Sequence, residues 1–350
     1  MDLIISDADF RGIGIIDDAS SVIWTKRYYE RGDFEIYIRS SVEAAEVLQE
    51  GHFVTRPDDD AIGIIEAIKI TTDIESGDYI TATGIMLDGI TARRVINAQT
   101  VISGTAENGI RTLITNNCIN SRPFPNFRLD ENLAGITDTH RAQYTGDNLY
   151  TAITDICKAY GIGKRVVLGA DGAFVFQLFR GVDRSENQAE NPHVTFSGEF
   201  DNLANTEYKR DAAARKNFAY VAGEGEGSAR KIATVAQGAP SGYALRELWV
   251  DARDASTNEG AISETEYMQQ LQTRGIEKIS ETQDSESFTG EIVNAYTYVY
   301  GVDYALGDIV TIKDEYGHSV DSRIIEVIEA EDANGHSIIP KFEGMGENGY

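Results

Sequence analysis

The chain has 350 residues, and 57 acidic against 31 basic side chains leave a formal net charge of −26. Hydrophobic residues make up 41% and aromatics 9%, enough to bury sizeable cores, which excludes wholesale disorder. The acid excess runs through both halves without a basic patch, which argues against nucleic acid and anionic membrane surfaces as ligands.

At about 150 residues per domain the length suggests two or three units. The first hundred residues read as β. Strands are expected at Asp2–Ile5, Gly12–Asp17, Ser21–Tyr28, Asp33–Ile38, Phe53–Arg56, Ile62–Ile70 and Tyr79–Gly84. In Phe34–Arg39 polarity alternates residue by residue, as a half-buried strand requires. One short helix is expected at Val42–Gln49, with Ser40 and Glu43 as a capping box. Many short strands at regular spacing predict a small barrel or sandwich.

After Ser103 the period changes. Helices are expected at Ala106–Cys118 and at Asp147–Tyr160, the latter ended by Gly161. A hairpin follows at Arg165–Leu168 and Ala173–Phe179, then a polar loop at Asp183–Pro192. Strands return at His193–Ser197, Thr206–Lys209, Asn217–Gly223, Ala229–Ala236 and Leu245–Asp251. A helix at Glu264–Thr273 has Ser263 and Glu266 as its capping box and Gly275 as its expected stop. The closing strands are Ser287–Tyr300, Ile309–Lys313, Ser319–Glu329 and Ser337–Phe342, with Asn334-Gly335 as a hairpin turn. The fold class is mainly β (α+β), in the order β, mixed, β, mixed, β.

Chemistry-bearing motifs are scarce. His52, His140, His193, His318 and His336 fall singly, without metal-ligand spacing, and no GxSxG or SxxK surrounds a serine, so neither a metal nor a cofactor is expected. Cys118 and Cys157 give no disulfide framework and are expected to pack as small apolar residues. The cluster Gly223-Glu224-Gly225-Glu226-Gly227 places two carboxylates where a phosphate would sit, so a tight turn is expected rather than a nucleotide cradle. Glu247, Asp251 and Asp254 lie close in sequence, with Arg246 and Arg253 beside them. Ion pairing is the simpler expectation, and a glycosidase using Glu247 or Asp251 is the enzymatic alternative. Alternation in Tyr296, Tyr298 and Tyr300 places three rings on one strand face, a candidate interface or a receptor- or sugar-binding strip. The N-terminus lacks a basic segment followed by an apolar one, and no window approaches 18 apolar residues, so folding in a cytoplasm without membrane insertion is expected.

The second half then becomes recognisable. Gly181-Val182-Asp183-Arg184, Asn191–Ser197 and Asp201-Asn202-Leu203 are followed by Val221–Gly227, Arg246-Glu247-Leu248 and Asp251-Ala252-Arg253. Tyr267, Leu271, Arg274-Gly275, Asp303-Tyr304 and Leu306-Gly307-Asp308-Ile309-Val310 complete the series. In this order, across Gly181–Phe342, they resemble a siphophage tail protein family of the baseplate or tail-tip hub type.

The resemblance implies a homotrimer whose subunits each contribute two tail-tube-like β-barrels, making a ring that adapts the hexameric tail tube to a trimeric tip and lets DNA pass. Residues 1–102 would be the first barrel, and 193–236 with 287–343 the second. Residues 103–192 and 237–286 would form a mixed α/β domain inserted in two pieces, and 344–350 a tail. The implied partners are further copies of the chain, a distal tail or tail-tube protein, and tail-tip, fibre or lysin subunits. The implied location is the virion tail tip, assembled in the bacterial host. No catalytic residue is carried over. The family-matching residues Arg184, Gly223, Gly225, Gly227, Arg246, Glu247, Asp251, Arg253, Gly307 and Asp308 are expected to serve turn geometry and ion pairing. The acid excess suggests a channel wall that repels DNA phosphates.

Overall fold

The computed structural model describes residues 1–73, 77–200, 202–257, 262–282, 285–291, 297–313 and 319–344. Tyr296, the 345–350 part of the expected tail and residues 292–295 of the expected Ser287–Tyr300 strand lie outside these.

The N-terminal strands form one antiparallel path. It runs Gly12–Ile16, Leu3–Ser6, Phe53–Arg56, Asp59–Thr71, Tyr79–Met86, Asp33–Arg39 and Ser21–Arg27. Alternation dictates which side is covered: Phe34, Ile36 and Ile38 are buried while Glu35, Tyr37 and Arg39 are not. Trp24 lies opposite Phe34 across the ladder, and both pack with Leu48 and Val54 in one core. Each such side chain contributes roughly 1.5–3 kcal/mol by leaving water.

A closed barrel would require Ser21–Arg27 to pair with Gly12–Ile16. Its second neighbour is instead Ser319–Asp332, from the far end of the chain. The described strands therefore form an open sheet and no closed barrel. Ser319–Asp332 is the hinge of the architecture. Along one side it pairs with Gly335–Gly344; along the other it pairs first with Ile309–Lys313 and then with Ser21–Arg27. The change of partner falls near a register shift between Ile324 and Glu326, where the Ile325 carbonyl accepts the Tyr28 N–H. Ala204–Asp211 and Ser285–Glu291 extend this second sheet, and Phe196, Tyr304, Val310 and Phe342 form its core.

Between the two halves lies the mixed region. Thr100–Thr105 pairs with Thr139–Tyr144, and the helices Ala106–Ile114 and Leu149–Tyr160 pack with Ile62, Ile64 and Leu87 in a common core. Asn148 caps the second helix through its side chain, and Gly161 ends it at φ +62. The hairpin Gly163–Leu168 and Phe174–Phe179 joins the main sheet through Val167 and Ala61.

Five expectations need correction. The short helix is capped by Ser41 rather than Ser40, because the Ser40 amide is already bound to the Asp78 carbonyl. The expected Ala106–Cys118 helix is α-helical only to Ile114 and continues as a wider π turn over Thr115–Ile119. Gly275 does not stop its helix, which runs Glu264–Ser280. A Cβ there would lie 2.8 Å from Val221 Cγ2 and 2.7 Å from Val235 Cγ2, so this glycine lets helix and sheet approach. Phe218–Ala222 and Ile232–Ala236, expected in the second barrel, lie instead in a separate three-stranded sheet under that helix, where Phe218–Ala222 is the central strand between Ile232–Ala236 and Glu247–Asp251. The expected strand through Tyr300 is extended at Ser285–Glu291, while Thr297 and Tyr298 lie in a turn and bend. Tyr298 and Tyr300 still turn inward together, against Phe196 and Tyr304 at ring distances of 5.7 and 5.6 Å.

Candidate functional site

Tyr28 is wholly buried where the first sheet, the mixed region and the second sheet meet. Its hydroxyl donates to the Gly161 carbonyl at 2.9 Å, and its ring packs edge-on against Phe179 at 5.2 Å. Two glycines lie against the ring: a Cβ on Gly163 or on Gly307 would approach Tyr28 Cε2 to 2.4 Å. Gly307 also has φ +94, and a Cβ on Gly181 would stand 2.0 Å from the Gly307 backbone. The buried Arg323 guanidinium sits 5.1 Å from the Tyr28 ring centroid and donates to the Gly307 carbonyl at 2.9 Å.

Asp308, itself buried, completes this junction. One carboxylate oxygen accepts the Val182 N–H at 2.7 Å; the other accepts Arg184 Nε at 2.9 Å and the Ala305 N–H at 3.0 Å. Arg184, Gly307 and Asp308 thus come together from segments more than a hundred residues apart. Their chemistry is attachment of the Gly181–Ser185 loop to the second sheet.

The remaining motif residues gather around the three-stranded sheet. Gly223 has room for no side chain, since a Cβ would lie 2.1 Å from the hydroxyl of buried Tyr267. Gly225 and Gly227 turn the chain at φ +96 and +55. Arg230 then reaches back to the Ala222 and Gly223 carbonyls and to Asp251 at 2.7 Å. Arg253 also grips Asp251, with bonds from 2.5 to 3.0 Å, and this holds the carboxyl well below the usual carboxylate range. Glu247 accepts the Tyr220 hydroxyl at 3.2 Å, and Asp254 pairs with Arg274 at 2.7 Å. Arg246 donates to the Ala212 carbonyl, and its amide to Asn217. A glycosidase acid needs a raised carboxyl in a cleft; Asp251 is exposed and shifted the opposite way.

A cleft of about 1270 Å³ opens beside the junction, lined among others by Lys26, Arg56, Asp59, Lys164, Tyr300 and Glu329. Its charges are cross-linked. Lys26 holds Asp59 at 2.6 Å and Glu329 at 3.1 Å, and Arg56 holds Glu329 at 3.1 Å and Asp58 at 2.7 Å. Burial pulls the Lys26 ammonium down, but the charges of Tyr300, Asp59 and Glu329 outweigh it and raise its pKa. Burial raises Asp59 in turn, and Lys26 more than reverses this. Deeper in, Lys164 and Asp88 form a fully buried pair at 2.8 Å. Burial lowers Lys164 and Asp88 more than reverses this, while burial raises Asp88 itself. These groups tie strands together through their ion pairs.

The Glu264–Ser280 helix meets the Thr139–Tyr144 strand at a second buried cluster. Glu277 on the Glu264–Ser280 helix lies 3.3 Å from His140 Nδ1 and accepts the Tyr144 hydroxyl at 3.4 Å. Burial, helped by the charge of Asp155, pushes Glu277 up to about 8, and burial pulls His140 down to about 4. Both shifts favour the uncharged forms, so burial turns this 3.3 Å approach toward a neutral acid beside a neutral imidazole despite its ion-pair geometry.

Among the described residues no three His, Cys, Asp or Glu side chains cluster to hold a metal ion. Both cysteines are buried and free, their thiols pushed up to about 12 by burial. No helix of the described residues is long and apolar enough to cross a membrane. Sequence reasoning missed Tyr28, Arg323 and Glu277. Tyr28 is signalled only by the break in alternation at Tyr28-Tyr29, and the other two by nothing local.

Residues 2–342 match the family described as Siphovirus ReqiPepy6 Gp37-like protein. The chain belongs to this siphovirus tail protein family. A search of curated proteins finds no match. Among solved structures, the tail protein from Neisseria meningitidis MC58 is similar at 14% identity and TM-score 0.62, covering 98% of this chain and 96% of its own. The prophage MuSo2 43 kDa tail protein from Shewanella oneidensis matches at 14% identity and TM-score 0.58, covering 98% of each chain. Prophage tail protein gp18 from Listeria monocytogenes EGD-e matches at 15% identity and TM-score 0.55, covering 99% and 96%. At such identities the likeness establishes a shared fold, and it extends over nearly the whole of each chain.

Proposed function

We propose that the chain is a structural, non-enzymatic subunit of the siphophage tail tip or baseplate hub, three copies forming a ring at the end of the tail tube. The observation that carries this is the near end-to-end sharing of fold with phage tail proteins, 96–98% of their own length. The junction supports it. Arg184, Gly181, Gly307 and Asp308 are used to lock distant segments into one body, the demand placed on a part that transmits load rather than turning over substrate.

In this reading the two sheets joined by Ser319–Asp332 take the place of the paired barrels, with closure supplied by neighbouring copies. The acid excess of the chain, −26, faces the channel in sufficient measure to repel DNA phosphates and prevent sticking. The test is mass by light scattering with electron microscopy of the purified protein. A species of three times 38.4 kDa with a central hole is expected. A monomer that stays single when the cognate tube protein is added would overturn the proposal. Zymography on cell-wall substrate should give no clearing, and a cleared band abolished by Glu247→Gln would restore the glycosidase alternative.

A further inference from the structure

The three-stranded sheet buries one face under the Glu264–Ser280 helix and leaves the other open. Across its strands the open face reads Ala236–Phe218–Glu247, Thr234–Tyr220–Trp249 and Ile232–Ala222–Asp251, with Ala222 itself covered. A solvated sheet face normally alternates to polar residues; this one carries aromatic rings. Phe218 and Tyr220 are 5.0 Å apart, Tyr220 and Trp249 6.5 Å, and Trp249 remains 57% exposed. Large aromatic rings with arginines at their edge are the composition of interface centres.

The charges say which partner fits. The two carboxylates of this face are Glu247 and Asp251, and beside them stand Arg230 and Arg253, both bound to Asp251. The face is balanced on a chain whose net charge is −26. A basic partner would be drawn to the acidic surface elsewhere. A partner as acidic as the chain itself can approach only where charge is balanced. A sugar platform needs rings presented side by side, whereas Phe218 and Tyr220 are inclined by 57° and only half exposed.

We infer that this face is a contact surface for a second copy of the chain, centred on Trp249 and Tyr220. The inference rests on the self-associating ring proposed above and adds the surface. Only two tryptophans exist, and Trp24 is fully buried in the first core, so fluorescence that changes on association reports Trp249. With rising concentration the mass should increase while Trp249 emission moves to shorter wavelength and becomes shielded from acrylamide. Raising salt from about 0.05 to about 0.5 M should tighten association by screening like charge. Trp249→Ala, at an exposed position, should weaken association roughly 10- to 30-fold with unchanged thermal unfolding of the monomer.

Oligomers in which Trp249 stays fully quenchable, with Trp249→Ala assembling as the parent does, would overturn this surface and leave the ring standing. A chain that is monomeric with quenchable Trp249 at every concentration would overturn surface and self-assembly in isolation together. Shielding of Trp249 only by another tail protein or a polysaccharide, or association weakened by salt, would also overturn the second-copy assignment.

Discussion

Replacing Glu277 with glutamine tests the buried joint between the Glu264–Ser280 helix and the Thr139–Tyr144 strand. Glu277 is pushed up to about 8, so the folded state keeps a proton that the unfolded state releases near 4.5. Its contribution is therefore fully present below pH 4.5 and is lost as pH rises to 8. His140, pulled down to about 4, works in the opposite sense but only below its unfolded value of 6.5; Asp155, raised to about 6, is also finished by then. Between pH 6.5 and 8 Glu277 is the member of the cluster that changes. Over that window the shift is worth about 2 kcal/mol, which lowers Tm by about 3 °C if the chain melts as one unit. Glutamine is neutral and keeps a donor and an acceptor, so Glu277→Gln should melt with a shallower pH dependence than the parent in this range and at a higher temperature at pH 8. Thermal unfolding by circular dichroism at four pH values is sufficient. An equal pH slope in parent and variant would show that Glu277 is ionised in the folded protein and refute the neutral-pair assignment.

Other substitutions probe the junction and the helix contact. Gly307→Ala forces a side chain to φ +94 and into the Tyr28 ring, and should cost more than about 3 kcal/mol, read as a loss of soluble protein or a large drop in Tm. Asp308→Ala leaves the Val182 and Ala305 amides and Arg184 without their acceptor and should cost about 2–4 kcal/mol by denaturant unfolding, with Arg184→Ala milder because Arg184 is less buried. Gly275→Leu should separate the helix from Val221 and Val235 at about 1–3 kcal/mol, with a changed near-ultraviolet spectrum and little change in helix content.

What was legible in the sequence was local. Period-two alternation at Phe34–Arg39 and the Gly161 stop are decided within a few residues, and the structure has them where the pattern places them. Ser263 caps its helix as placed, its side chain accepting the Glu266 amide. The failures share a cause. Gly275 reads as a helix stop until Val221 and Val235, far earlier in the chain, are known to press on it. The partner exchange along Ser319–Asp332 depends on pairings nearly three hundred residues apart, which no periodicity announces. For the same reason Asp308, Val182 and Arg184 were visible as motif residues while their contact with one another was not, and Glu277 lay beyond the expected end of its helix.

The central claim is a hub position in the tail, and cryo-electron microscopy of assembled tails addresses it most directly. Three copies of the chain should be found at the distal end of the tube, arranged as a ring around an open or plugged channel. Copies repeated along the tube, a six-fold arrangement at the tip, or intact tails lacking the chain would contradict it.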